Sequence, residues 1–173
     1  MKVPVSVRLR PIRTEDASVT YKWRNHPTVR EFFSGHGEEV QLADERAWVE
    51  RQLQSASDSK SFGVEDAATG SLIGLTFLKN IDTRHRQAEF AILIDPDQAG
   101  RGFGNAACVS TLQVAFQQLQ LHRVYLKVRV DNVAAIRLYD ACGFMKEGTL
   151  HDDHFKNGRF VDQYIMAILA PSS

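Results

Sequence analysis

The stretch that most limits what this chain can fold into is Gly100-Arg101-Gly102-Phe103-Gly104, set between an apolar run ending at Ile94 and the start of an apolar-striped helix pattern. Alternating glycines let the backbone enter conformations closed to other residues and leave amide groups uncovered by side chains. A helix that starts at the turn adds its free first-turn N–H groups and the positive end of its dipole, and Arg101 adds a full charge. A pyrophosphate is therefore the natural ligand. Short glycine motifs also serve as plain strand-to-helix geometry, so the turn alone leaves both readings open. A dinucleotide-binding unit is excluded. The spacing is not G-x-G-x-x-G, Asp95-Pro96-Asp97 separates strand from turn, and only about forty residues follow Asp131, too few to complete a doubly wound sheet.

Composition narrows the setting. A chain of 173 residues, 43% of them hydrophobic, suits one domain spanning 1–173 with its own core. Lys plus Arg and Asp plus Glu both number 21, so no whole-molecule field recruits nucleic acid or an anionic membrane. Cys108 and Cys142 sit beside apolar residues without metal-ligand spacing, and read as buried free thiols in a reducing compartment. The opening MKVPVSVRLR lacks a signal-peptide run, and no stretch approaches the roughly 20 apolar residues that span a bilayer. The expectation is a cytoplasmic protein with no membrane and no nucleic-acid partner.

In chain order, Val5 to Ile12 alternates as a half-buried strand. Thr14-Glu15-Asp16 predicts a helix start with Thr14 as the cap. That helix carries Val19, Tyr21 and Trp23 and stops at Asn25-His26-Pro27. Thr28 to Gln41, with Phe32, Phe33, Gly35 and Gly37, has no clear period. Leu42 to Gln54 predicts a helix with Ala43, Ala47 and Leu53 among its apolar positions, and Ser55 to Ser61 a polar connector. Strands follow at Ser61–Glu65, Leu72–Leu78 and Gln87–Ile94, linked by a hairpin at Asp66–Ser71 and a connection at Asn80–Arg86. After the glycine turn, Cys108, Leu112, Ala115, Phe116 and Leu119 form one helical stripe. His122 to Val130 is a strand, Asp131 or Asn132 caps a helix that stops at Gly143, and Phe144–Leu150 pairs with Phe160–Leu169 around Asn157-Gly158.

Four segments taken together resemble the GNAT superfamily of acetyl-CoA-dependent N-acetyltransferases: Ala88-Glu89-Phe90, the glycine turn, Asn132-Val133-Ala134-Ala135, and Leu138-Tyr139-Asp140-Ala141-Cys142-Gly143-Phe144. Within it, Glu147-Gly148 and Asn157-Gly158 point to the group holding ribosomal-protein N-terminal, spermidine and amino-sugar acetyltransferases. The resemblance implies an α/β fold, a single domain with a mostly antiparallel mixed sheet split into a V and flanked by helices. It implies acetyl-CoA as co-substrate and no metal. It also implies that backbone at Ile92, Leu93 and Ile94 pairs with the pantetheine arm, and that Arg101, Gly102, Phe103, Gly104 and Asn105 take the pyrophosphate. Asn132, Ala135 and Tyr139 would lie toward the thioester, Asn132 and Tyr139 standing two turns apart on one helix face. Relatives commonly form homodimers. Ala99 departs from the family, whose loop opens with Gln or Arg. Gln98 stands one place early, which removes a side-chain contact to the loop.

Acyl transfer to an amine needs a neutral nucleophile, a polarised carbonyl and a proton for the departing thiolate. A tyrosine, titrating near 10 against roughly 8.5 for a thiol, suits the last task, so Tyr139 is either that donor or a core tyrosine satisfied locally. Glu89, inside an apolar strand, is either the general base or an ion-pair partner of Arg84 or Arg86. His151-Asp152-Asp153-His154 lies in an extended segment where His151 and His154 diverge, which argues against a metal. Glu38-Glu39 and Asp44-Glu45 read as a polyamine-attracting mouth or as a solvated loop and helix start.

For the acceptor, Trp23-Arg24-Asn25-His26-Pro27 resembles the first-helix end of amino-sugar acetyltransferases. Arg24 is then a diphosphate contact, Trp23 and Phe32 stacking surfaces, and Asn25 and His151 further acceptor contacts. A nucleotide-linked amino sugar is the leading small-molecule amine, ahead of an N-terminal peptide amine and a polyamine. A non-catalytic acetyl-CoA-binding module is the alternative of a different class.

Overall fold

Period-2 alternation and turn chemistry draw seven strands into one sheet among the described residues, 5–33, 38–54 and 57–172 of this computed structural model. The strands are β1 (Val7–Pro11), β2 (Lys60–Asp66), β3 (Leu72–Asp82), β4 (Gln87–Ile94), β5 (Arg123–Arg129), β6 (Met145–Lys156) and β7 (Arg159–Leu169). Their order is β1-β2-β3-β4-β5-β7-β6, and every neighbouring pair is antiparallel except β4 with β5. The β6–β7 turn has both Asn157 (φ 53) and Gly158 (φ 75) in the left-handed region, as a two-residue turn matching strand twist requires. β3 runs past its expected end at Leu78, because a bulge between Lys79 and Asp82 carries the pairing on to Gln87.

Three helices precede β2: α1 (Ala17–Asn25), α2 (Pro27–Phe32) and α3 (Leu42–Leu53). Thr14 is not the cap of the first. A single 3-10 turn over Thr14–Asp16 leads into α1, and the Asp16 carboxylate accepts the Arg13 N–H at 2.8 Å while pairing with Arg10 at 2.7 Å. α1 ends where the proline demands, and Pro27 then opens α2 inside the segment that lacked a clear period. His26 Nδ1 accepts from Thr28 N there at 3.3 Å. Gly35 and Gly37 of that segment lie outside the described residues.

α3 also presents a different face from the expected one. Leu53 is 48% exposed, whereas Glu45 and Val49 are buried. The reason is polar: Glu45 accepts from the Thr20 hydroxyl and from Arg24, both at 2.6 Å, so α3 locks to α1 through a carboxylate. Two more helices, α4 (Phe103–Gln113), which widens into a π turn over Val114–Gln118, and α5 (Val133–Ala141), complete the set.

Alternation along the strands sorts the core into layers. Leu75, Phe77 and Leu93 pack with Ile12, Ala17, Trp23 and Val49 beneath α1–α3. Their strand neighbours Leu78, Ala88 and Phe90 turn the other way and pack with Leu112, Ala115, Leu126 and Tyr139 beneath α4 and α5.

Replacing Glu45 by alanine strands the Arg24 guanidinium in a mostly buried position, and broken buried ion pairs cost on the order of 3 kcal/mol. Urea unfolding of Glu45→Ala is expected to show a loss of that size with an unchanged m value.

Candidate active site

β4 and β5 pair over only three positions, Gln87↔Arg123, Ala88↔Val124 and Glu89↔Tyr125. Beyond Glu89, β4 stays on β3 as far as Ile94↔Gly74, and β5 stays on β7 as far as Arg129↔Gln163. Two strands held by different outer neighbours therefore part, and the edge of β4 carrying Ile92, Leu93 and Ile94 has no strand partner on this side among the described residues. An extended ligand with amide groups fits such an edge as a missing strand would.

The glycine turn stands at the end of β4. Gly100 (φ 73) and Gly102 (φ 96) are both left-handed, and a Cβ on Gly102 would touch Val5 at 3.2 Å. The first intrahelical bond of α4 is Ala106 N–H to Gly102 O at 3.1 Å. The amides of Phe103, Gly104 and Asn105 thus precede the helical ladder and are left to a ligand, the arrangement that holds anions. A Cβ at Gly104 would stand 2.5 Å from Leu138 Cδ1, so this glycine lets α4 approach α5. The side chain of Arg101 lies over the Phe103 ring at 5.3 Å and bonds Gln98 Oε1. Gln98, one place early in sequence, thereby supplies the loop contact that Ala99 lacks.

α5 carries the next groups. Asn132 caps it, Oδ1 accepting from Ala135 N at 3.2 Å, so the carboxamide satisfies one donor of the first turn. Two turns on, Tyr139 packs edge-on against Phe90 (centroids 6.3 Å, 86°) and against Phe144 (5.8 Å). Phe90 is the first residue of β4 past its pairing with β5, which places the Tyr139 ring where the strands part. Burial pushes the Tyr139 phenol above its ordinary value, with smaller contributions from the neighbouring Cys108 and Cys142 thiols, so it stays protonated across the neutral range. Cys108 is buried, and its contact with Cys142 together with burial holds its thiol in the protonated form.

Because Phe90 faces Tyr139, Glu89 faces the opposite side, toward α1–α3. Its Oε2 accepts from Asn80 Nδ2 at 3.0 Å and its Oε1 lies 4.0 Å from Lys79 Nζ. Neither Arg84 nor Arg86 is its partner; Arg86 donates instead to Gln120 O at 2.8 Å. Tyr139 and Glu89 thus flank the divergence from its two faces and do not touch.

The residues expected at the acceptor scatter. Trp23 is 6% exposed within the core and offers no stacking face. Arg24 is bonded to Glu45 and lies against the Phe33 and Trp48 rings at 5.3 and 5.2 Å. The Asn25 carboxamide clamps the Val40 backbone, Nδ2 donating to Val40 O and Oδ1 accepting from Val40 N, both at 2.8 Å. His151 is exposed and meets Asp162 at 3.0 Å, while His154 turns inward beside Arg129. A register shift between Leu150 and His154, not simple alternation, separates the two. Of the four acids before and in the first turn of α3, Glu38, Glu39 and Asp44 are exposed and Glu45 is buried.

Phe32 alone reaches a charged cluster absent from the sequence reading. Arg129 stacks on it at 5.0 Å and donates to Glu31 O (2.8 Å), Glu31 Oε1 (2.9 Å) and Asp131 Oδ2 (2.7 Å). Arg129 holds the Asp131 carboxyl below its usual range. In sequence Arg129 is placed only within the strand His122 to Val130; its contacts with Glu31 at the end of α2 show where it sits.

The family model described as acetyltransferase (GNAT) domain matches residues 6–145. Spermidine N(1)-acetyltransferase of Escherichia coli K12 is 32% identical over 165 residues, covering 94% of this chain and 86% of that protein. The enzyme of the same name from Vibrio cholerae serotype O1 is 44% identical over 110 residues, 64% of this chain and 63% of its own length. A crystal structure of spermidine N-acetyltransferase from Vibrio cholerae in complex with CoA and spermine superposes with a TM-score of 0.85 at 32% identity, covering 95% of each chain. The chain belongs to the GNAT acetyltransferase family, whose members use acetyl-CoA as acyl donor. These relatives are spermidine acetyltransferases and back the polyamine alternative better than the amino-sugar reading, whose stacking and diphosphate residues are a buried Trp23 and an Arg24 paired with Glu45. Among the described residues no helix is long and apolar enough to cross a membrane.

Gly102→Ala forces a side chain into φ 96. The expected outcome is a stability loss of about 1 kcal/mol and a visibly smaller rise in melting temperature on adding CoA, read by thermal shift with and without the ligand.

Proposed function

We propose that this chain transfers the acetyl group of acetyl-CoA directly to a primary amine of a polyamine of the spermidine class. The observation that carries the acceptor class is the 32% identity along 94% of the chain with a spermidine N(1)-acetyltransferase. The geometry at the strand divergence supports the reaction itself. A cytoplasmic setting fits two thiols that are both free.

Acetyl-CoA supplies an activated thioester and a thiol leaving group. For its binding, the Phe103, Gly104 and Asn105 amides and Arg101 take the pyrophosphate, and the unpaired edge at Ile92–Ile94 takes the pantetheine amides. Ala135 and Asn132 form the helix start beside the arm's reactive end. Glu89, on the α1–α3 face, accepts the proton that the amine loses as its nitrogen bonds carbon. Tyr139, on the α4–α5 face, donates a proton to the departing sulfur and is reprotonated from solvent. Placing acceptor and donor on opposite faces of one gap keeps them from neutralising each other. A pre-set phenol donor costs no reorganisation at the moment of transfer.

Tyr139→Phe is expected to lower kcat about a hundredfold while the CoA-induced rise in melting temperature stays as in the parent. The acceptor is tested by thiol release against spermidine, spermine, peptides with free N-termini and a nucleotide-linked amino sugar. Turnover with the polyamines alone is expected, and turnover confined to another class would overturn the acceptor assignment.

A further inference from the structure

β3 does not run straight past Glu89. Its pairing with β4 is regular from Gly74↔Ile94 to Lys79↔Glu89, then slips before Asp82↔Gln87. At the slip Asn80 takes a left-handed backbone, φ 51, which asparagine tolerates better than most side-chain-bearing residues. The next residue anchors the irregularity: Ile81 N–H donates to Asp58 O at 2.7 Å, tying the bulge to the chain that follows α3. Bulges re-aim a side chain that strict alternation would send elsewhere. The re-aimed group is the Asn80 carboxamide, whose Nδ2 reaches Glu89 Oε2 at 3.0 Å. On the neighbouring strands the charged and titratable groups around this carboxylate are Lys79, 4.0 Å from Oε1, and Tyr125, its register partner on β5, with Arg123 over the Tyr125 ring at 5.9 Å.

We infer that Asn80 is a positioning residue for acetyl transfer: from its bulge it holds Oε2 of Glu89 and so leaves Oε1 to receive the amine's proton. The inference rests on the assignment of Glu89 as the base. A neutral amide suits the task, because it fixes the carboxylate's rotation without placing a further cation beside an incoming polycation. Lys79, at 4.0 Å, is too far to set that orientation by hydrogen bonding. The bulge is what makes the contact available, since an unbroken β3 would alternate the Asn80 side chain to the other face.

The test follows kcat/KM for spermidine against pH at saturating acetyl-CoA, together with a 13C NMR titration of the Glu89 carboxyl in the ligand-free full chain. Three variants are compared with the parent: Asn80→Asp, Asn80→Gly and Glu89→Gln. Asn80→Asp keeps the shape and the left-handed backbone but sets a second carboxylate beside the first. It is expected to move the acidic limb of the rate profile and the Glu89 titration upward together by about one pH unit. Asn80→Gly keeps the backbone and removes the donor; kcat is expected to fall about tenfold with the KM for acetyl-CoA unchanged. If Glu89→Gln loses the acidic limb while both Asn80 variants match the parent, Asn80 does not position the base and the inference fails alone. If the limb survives in Glu89→Gln, the base assignment itself fails and takes the inference with it.

Discussion

β4 and β5 run parallel, yet each has a stronger commitment elsewhere: β4 to β3 over its whole length and β5 to β7 over its whole length. Antiparallel pairs accept closely spaced hydrogen bonds with short connections, whereas the single parallel pair must be bridged by α4 and the turn after it. Three pairs of contact survive, and past them the sheet opens. The glycine turn at the head of α4, the unpaired edge of β4, Tyr139 and Glu89 are all placed by that opening. Each stands at its rim, on one face or the other. The Gly104–Leu138 approach sets how closely the two helices behind the gap can pack.

Buried charge does the complementary task of fixing the amino-terminal helices to this frame. Glu45 joins α3 to α1 through Thr20 and Arg24. α2 is held by the strands beyond the divergence, β5 and β6. Arg129 on β5 donates to the Glu31 carbonyl, and the Lys156 ammonium on β6 bonds the Arg30 and Phe33 carbonyls, so two buried cations meet the negative end of a short helix. Burial lowers the Lys156 ammonium below its ordinary value, and nearby Glu31 opposes that shift. An interior that places cations there has to satisfy them fully, and the carbonyls at the end of α2 do so. The consequence for function is geometric: a segment six residues long, too short to be stable alone, is given a defined place beside the sheet.

Several of the elements that carry the candidate site were legible in the sequence. The glycine turn, the strand that precedes it, a helix capped at Asp131 or Asn132 and the Tyr139 position all lie within short, locally determined patterns; the structure keeps these elements and selects Asn132 as the cap. What was not legible depends on contacts between residues far apart in sequence. Trp23 and Arg24 carry the same letters whether they line a cleft or a core, and the choice was made by α3 closing over α1. Glu89 stood between a base and an ion pair with Arg84 or Arg86, and neither alternative named Asn80, which reaches it because a bulge in β3 turns one side chain. Arg129 was one more residue of a strand until α2, folded back across β5, gave it buried partners.

By itself, then, the sequence determined most element types and the left-handed glycine turn, because helix and strand periods, caps and left-handed turns act over a few residues and are written in side-chain chemistry. Tertiary structure alone decided which charges are buried, which face of β4 each group occupies and how far the two strands part. Those outcomes depend on the competition among strand partners and on desolvation, both of which act between residues tens of positions apart and leave no local mark in the chain.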